Sequence, residues 1–205
     1  MRYVAAGCAV GLAALGIAVA ADPGPLPGER HLLTELRSEV GSSFDPALTR
    51  FADLTDALPL AIVGVVLGLG LAWRRRWRDL AYGAAVVAVV WAVNPLLKEL
   101  VARPRPDLWP APMAVSEYAF PSGHAANTAA LVGAIVMLSW PTAARWYAVS
   151  VGAVLLAVVA FDQLALGVHY PSDIAAGWLL AGAWTALVWS LRPAPPPSDP
   201  PPRRG

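Results

Sequence analysis

LAYGAAVVAVVWAVNPLL, residues 80–97, followed at once by Lys98 and then by Arg103-Pro104-Arg105-Pro106, decides how this chain folds. A run of 18 residues without a charge approaches the ~20 that a helix needs to cross a hydrocarbon core. In lipid every backbone polar group must be paired within the segment, so a helix is the natural form. Working outward, five more apolar stretches occupy residues 4–21, 58–73, 124–140, 146–166 and 174–191. The second of these is short and begins near Pro59, a position where a helix tolerates proline. Gly, Ala and Ser recur in several stretches, as they do where membrane helices pack closely. The reading is an all-α integral membrane protein, a bundle of six transmembrane helices.

Composition agrees. The chain has 205 residues, 57% hydrophobic and 14% charged, with a mean hydropathy of +0.54. That is too little polar surface to cover a domain in water. A net charge of +1 gives no reason to expect a nucleic-acid partner. A single cysteine, Cys8, excludes an intrachain disulfide.

Arginine placement sets the orientation. Arg74-Arg75-Arg76-Trp77-Arg78 lies between two apolar stretches and marks a cytoplasmic loop. Alternation then puts 9 basic residues inside and 6 outside, with both termini cytoplasmic. Residues 1–21 are a first transmembrane helix, or a signal-like segment ending in Ala18-Val19-Ala20. Residues 22–56 form an extracytoplasmic segment. Within it Leu32, Leu33, Leu36 and Val40 recur at helical spacing, which predicts an amphipathic helix over 29–40, on the membrane surface or over the site. A short second helix is expected at 46–54. Residues 57–191 form a core of five transmembrane helices, and 192–205 a disordered, proline-rich cytoplasmic tail.

This topology gathers three marked segments on the outer face: Lys98 to Pro106, Pro121-Ser122-Gly123-His124, and His169-Tyr170-Pro171-Ser172-Asp173. Lys98 is the only lysine beside 14 arginines. Basic side chains near a membrane edge often snorkel to water. Three cations in one short outer loop nevertheless run against the inside bias, and a bound anion explains them, since Arg matches phosphate oxygens and Lys supplies a point charge. Ser122 is a plausible N-cap, and Gly123 lets a ligand approach the free N–H groups of a helix start. His169 and Asp173 are four apart. A carboxylate holding one imidazole nitrogen makes the other a better nucleophile or base. His124, His169 and Asp173 could instead hold zinc, but Lys98, Arg103 and Arg105 would repel a dication. No metal and no cofactor is expected.

These blocks resemble the type 2 phosphatidate phosphatase family of membrane lipid phosphatases, related in fold to vanadium haloperoxidases. Its first block, a lysine, six residues and Arg-Pro, is matched by Lys98 and Arg105-Pro106; its second by Pro121 to His124. The third is Ser-Arg, five residues, histidine, three residues and aspartate. His169 and Asp173 fit it, while Asp162 and Gln163 stand where Ser-Arg is usual. The resemblance implies that His169 attacks phosphorus and forms a phosphohistidine, that Asp173 orients it, and that His124 protonates the leaving oxygen and then activates water. Lys98, Arg105, Ser122, the Gly123 amide and the position of Gln163 would hold the phosphate oxygens, with Arg103 available to replace the missing arginine. The substrate implied is a phosphorylated membrane lipid or isoprenyl diphosphate. The alternatives are transfer to an alcohol at the same site, or a catalytically silent lipid-phosphate binder or transport component. The oligomeric state is not readable.

Overall fold

The structure, a computed structural model, describes residues 1–192. Residues 193–205, which hold nearly all of the tail expected to be disordered, lie outside the described residues. Eight α-helices follow in order among the described residues: α1 (Arg2–Ala21), α2 (Glu29–Val40), α3 (Asp45–Leu54), α4 (Ala57–Trp73), α5 (Trp77–Val101), α6 (Gly123–Ser139), α7 (Arg145–Ala165) and α8 (Pro171–Ser190). Six coincide with the apolar stretches to within a few residues, because an uninterrupted apolar run has no other way to pair its backbone in lipid.

α6 occupies the centre, packed against α5, α7 and α8, and α1 lies along α8. Small side chains explain the position. Ala126, Ala130 and Ala134 of α6 are buried against Val86 and Val90 of α5 and Leu180 and Ala181 of α8. Such residues let helix backbones approach closely, and in lipid it is this close packing that drives association. The outer surfaces are apolar instead. Ile62, Val65, Val66 and Leu69 of α4, and Val151 and Val154 of α7, are exposed, an arrangement that suits hydrocarbon and not water.

By length and apolarity, α1, α5 and α7 can each cross a membrane, and α3 with α4, bent by 41° at their junction, make a fourth. α6 is apolar but only 17 residues long, ~26 Å at 1.5 Å per residue. α8 gives up its first turn to Ser172 and Asp173, both buried among polar partners. Fewer helices therefore meet the crossing criterion alone than the six apolar stretches suggest.

Residues 22–56 are docked on the helices, not free. α2 packs on α7 with Leu33 fully buried, and α3 packs on both α7 and α4. Ala52 of α3, Leu166 and Val168 form a small apolar cluster under this cover.

Candidate active site

The chain leaving α5 arranges the first set of cations. Lys98 stands in the last turn of α5, and Ala102, at φ 49°, ends the helix in the left-handed conformation. The following strand-like segment folds back on residues 118–119: Ala119 N–H donates to the Arg103 carbonyl at 2.8 Å, and Pro104 bridges to Tyr118. Lys98 Nζ donates to the Tyr118 carbonyl at 2.6 Å. Arg103 and Arg105, two apart in an extended segment, share a face. Both turn onto the His169–Asp173 pair. Arg105 Nη1 donates to the Val168 carbonyl at 2.7 Å and lies 3.1 Å from His169 Nε2.

α8 begins at Tyr170 with Pro171 in its first position, where the missing proline N–H costs nothing. Asp173 Oδ2 accepts the Tyr170 N–H at 2.8 Å, closing the helix start. The same oxygen is 3.6 Å from His169 Nδ1. This is ion-pair range, longer than a hydrogen bond, and His169 Nδ1 is buried without another partner. Arginine can only donate, so His169 Nε2 must accept, which places the proton of the neutral ring on Nδ1, toward Asp173. Burial, with Arg105 and Lys98 adding to it and Asp173 opposing, lowers the His169 pKa from its ordinary value to about 3. The ring is therefore a neutral base whose free lone pair points at a guanidinium.

Ser122 caps α6, its Oγ accepting the Ala125 N–H at 3.4 Å, and its own N–H donates to the Asp173 carbonyl at 2.9 Å. That bond ties the second block to the third. It needs α6 and α8 in close contact at Gly177, where a Cβ would come within 2.8 Å of the Ser122 carbonyl oxygen. Among the described residues nothing accepts from the N–H groups of Gly123 or His124, so the start of α6 keeps two free donors, as an anion site requires.

His124 Nε2 lies 3.2 Å from the Ala52 carbonyl and 3.9 Å from Asp56 Oδ1. Both belong to the α3–α4 junction. With the proton on Nε2 donated to Ala52, the other ring nitrogen is left as the acceptor.

Two expectations change. Arg103 does not join the phosphate cradle. It is fully buried, and its five N–H groups have five acceptors: the carbonyls of Pro23 and Gly24, Ser172 Oγ, Asp173 Oδ1 and Glu29 Oε2. The three positive charges of this loop are thus held differently, Arg103 by a carboxylate pair, Lys98 by the Tyr118 carbonyl, and Arg105 by Ser116 and the Val168 carbonyl beside His169. Gln163, buried near the end of α7, donates from Nε2 to Asp162 Oδ2 at 2.9 Å. Its side chain makes no hydrogen bond to Lys98, Arg105 or His169. Glu29, Ala52 and Asp56 were not foreseen as neighbours of the site. Glu29 heads the amphipathic helix, but nothing in its spacing links it to the three blocks.

A last contact holds the α7–α8 turn. Trp109 Nε1 donates to the Leu166 carbonyl at 3.1 Å. The ring lies against Gly167, which adopts φ 70° and has no room for a Cβ. Arg37, held by Asp45 through two hydrogen bonds, covers the ring with its guanidinium 5.1 Å from the centroid.

Known proteins resemble this chain in sequence and in fold. The family model described as the PAP2 superfamily matches residues 78–195. A decaprenylphosphoryl-5-phosphoribose phosphatase of Mycobacterium tuberculosis (strain ATCC 25618 / H37Rv) is 35% identical over 140 residues, 65% of this chain and 70% of that protein. Phosphatidylglycerophosphatase B of Bacillus subtilis (strain 168) is 28% identical over 121 residues, 57% of this chain and 59% of that protein. The crystal structure of a transmembrane PAP2 type phosphatidylglycerolphosphate phosphatase from Bacillus subtilis superposes with a TM-score of 0.75, covering 91% of this chain and 94% of that one at 21% identity. At that identity the likeness is one of fold.

Proposed function

The chain belongs to the PAP2 superfamily and is a multi-pass membrane phosphoric ester hydrolase; from that premise we propose that it dephosphorylates a phosphorylated membrane lipid through a phosphohistidine on His169. The observation that carries this reading is the 3.1 Å approach of Arg105 Nη1 to His169 Nε2. A phosphoryl group held by Arg105 is presented to the free lone pair of a neutral imidazole. Lys98 and the free amides of Gly123 and His124 complete the cradle, with Ser122 fixing the helix start that presents them. Donors already in place where charge builds stabilise the transition state without reorganisation.

In the first step Nε2 forms a bond to phosphorus as the ester P–O bond breaks. His124 enters this step as the imidazolium, its Nε2–H on the Ala52 carbonyl, and gives its Nδ1 proton to the departing lipid alkoxide, which leaves the ring neutral. The phosphorylated imidazole keeps its proton on Nδ1 and gains positive charge, which Asp173 opposes. In the second step His124 takes a proton from water, the water oxygen attacks phosphorus, and the P–N bond returns its electrons to Nε2. The six apolar stretches and the basic loop at residues 74–78 support a reading with both termini cytoplasmic, in which this site lies at headgroup depth on the outer face.

The relatives named above act, by their names, on a prenyl-linked phosphoribose and on phosphatidylglycerophosphate, so both prenyl and acyl lipid phosphates belong in the test. Purified protein should release inorganic phosphate from a panel of such lipids in mixed micelles, and His169→Ala should release none. Brief incubation with a 32P-labelled substrate should trap an acid-labile, base-stable phosphoenzyme in the wild type. Release without any such adduct would point to direct attack by water and sink the covalent route.

A further inference from the structure

Glu29 is a buried group that the mechanism leaves unused. Glu29, at the start of α2 and far in sequence from every block of the site, is 7% exposed. Its Oε1 accepts the Ser172 N–H of α8 at 2.8 Å, and its Oε2 accepts the Leu26 N–H at 2.7 Å and faces Arg103 Nη2 at 3.1 Å. Arg103 in turn holds Asp173 Oδ1 at 2.7 Å, and its guanidinium lies 4.4 Å from the Tyr170 ring centroid. The side chains of Arg103 and Asp173 are wholly buried and that of Glu29 is nearly so. A buried charge is retained only when paired. One cation between two carboxylates leaves one net negative charge, and the His169 ring faces it, with Nδ1 3.6 Å from Asp173 Oδ2, the oxygen that also accepts the Tyr170 N–H.

We propose that Glu29 is a positioning residue for the nucleophile: by neutralising Arg103 it keeps the charge of Asp173 directed at His169. The inference rests on the reading of His169 as the attacking group. Without Glu29, Arg103 and Asp173 balance each other, and the guanidinium draws the carboxylate toward itself and away from the imidazole. The Nδ1–H then loses its orienting acceptor, and the positive charge that develops on the phosphorylated ring loses its counter-charge. Substrate contacts at Lys98, Arg105 and the start of α6 are untouched.

A purely architectural role for Glu29 makes a different prediction. Glu29→Gln keeps the size of the side chain and an oxygen to accept the Ser172 N–H, so a cap on α8 survives it, while the charge and the acceptor facing Leu26 N–H and Arg103 do not. The full chain in detergent micelles, with phosphatidic acid and a prenyl monophosphate as substrates, should show kcat reduced at least tenfold in Glu29→Gln and KM within twofold. The chain has 3 histidines, which makes 15N-histidine NMR of the same samples tractable. The Nδ1–H signal of His169, assigned by its loss in His169→Ala, should shift in Glu29→Gln.

If Glu29→Gln does not fold, the double variant Glu29→Gln/Arg103→Met, which restores the charge balance, is compared with Arg103→Met alone. The double variant should lie nearer the wild type in both readouts. Wild-type kcat and an unmoved His169 signal in Glu29→Gln would overturn the proposal, as would a double variant no better than Arg103→Met. Should the wild type release no phosphate and form no phosphoenzyme, the hydrolytic reading fails by itself, and the NMR comparison still decides whether Glu29 governs the His169 proton.

Discussion

Arg103 and Arg105, separated by a single proline, divide the His169–Asp173 pair between them. Arg103 Nη1 is 2.7 Å from Asp173 Oδ1, whereas Arg105 Nη1 is 3.1 Å from His169 Nε2. The first guanidinium has spent every donor on protein groups. The second remains at the edge of the site, with Ser116 and Val168 as its other partners. Two adjacent arginines that look equivalent in the sequence therefore do different work, and substitution should separate them.

Arg103→Ala is expected to destabilise the fold by ~3–5 kcal/mol, the cost of leaving a buried counter-charge unpaired. Lys98→Ala should cost ~1.5–3 kcal/mol, the loss of one charge-assisted hydrogen bond, and fall mainly on kcat/KM. Denaturant unfolding in a fixed detergent, run beside phosphate release, measures both. Equal stability losses would contradict the assignment.

Arg105→Lys should fold normally and lose activity. A lysine cannot hold the Val168 carbonyl, Ser116 and a phosphate oxygen in one plane. Losing a charge-assisted contact made in the transition state costs ~1.5–3 kcal/mol, about one to two decades of kcat/KM. Retention of wild-type kcat/KM would show that charge alone suffices at this position.

Stability should depend on pH through His169. The ring's pKa is about 3 in the fold, below its ordinary value of 6.5. Between these values the unfolded chain binds a proton that the folded chain does not, so stability rises with pH across this window. It is fully present above pH 6.5 and is lost as pH falls toward 3. Melting temperatures from pH 7 to pH 4 should fall in the wild type and fall less steeply in His169→Gln. Parallel slopes for the two proteins would mean that the imidazole is not held neutral.

Gln163→Arg alone should leave turnover within about threefold. Asp162, buried beside it with one oxygen lacking a partner, is placed to capture the new guanidinium. With Asp162→Ser added, the arginine is released toward the site, and turnover should rise by about one decade, the low end for a charge-assisted contact to phosphate. A full gain from the single change would show that Asp162 does not compete for the cation.

The sequence made most of the fold and the three blocks that meet at the candidate site legible. Apolar runs can pair their backbones in lipid only as helices, so residues 80–97 and their counterparts read directly as α5 and its neighbours. The three blocks were legible because their spacing within one turn or loop is local: Ser122 does cap α6, and Asp173 does lie in the first turn of α8 beside His169. Charge partners across long sequence distances were not legible. Arg103 was read as a cation awaiting an anion, but the anions come from Glu29 and Asp173, 74 and 70 residues away. The orienting contact of His124 comes from Ala52, 72 residues away. No periodicity encodes such pairs, since they arise only when α2 and α3 dock on α7 and the burial of one charge makes its partner obligatory. The sequence by itself determined the helices and the three blocks proposed to carry the chemistry, because both are encoded in local spacing. Tertiary packing decided which arginine is buried between Glu29 and Asp173 and which stands against His169, because only docking brings groups 70 and 74 residues apart into contact.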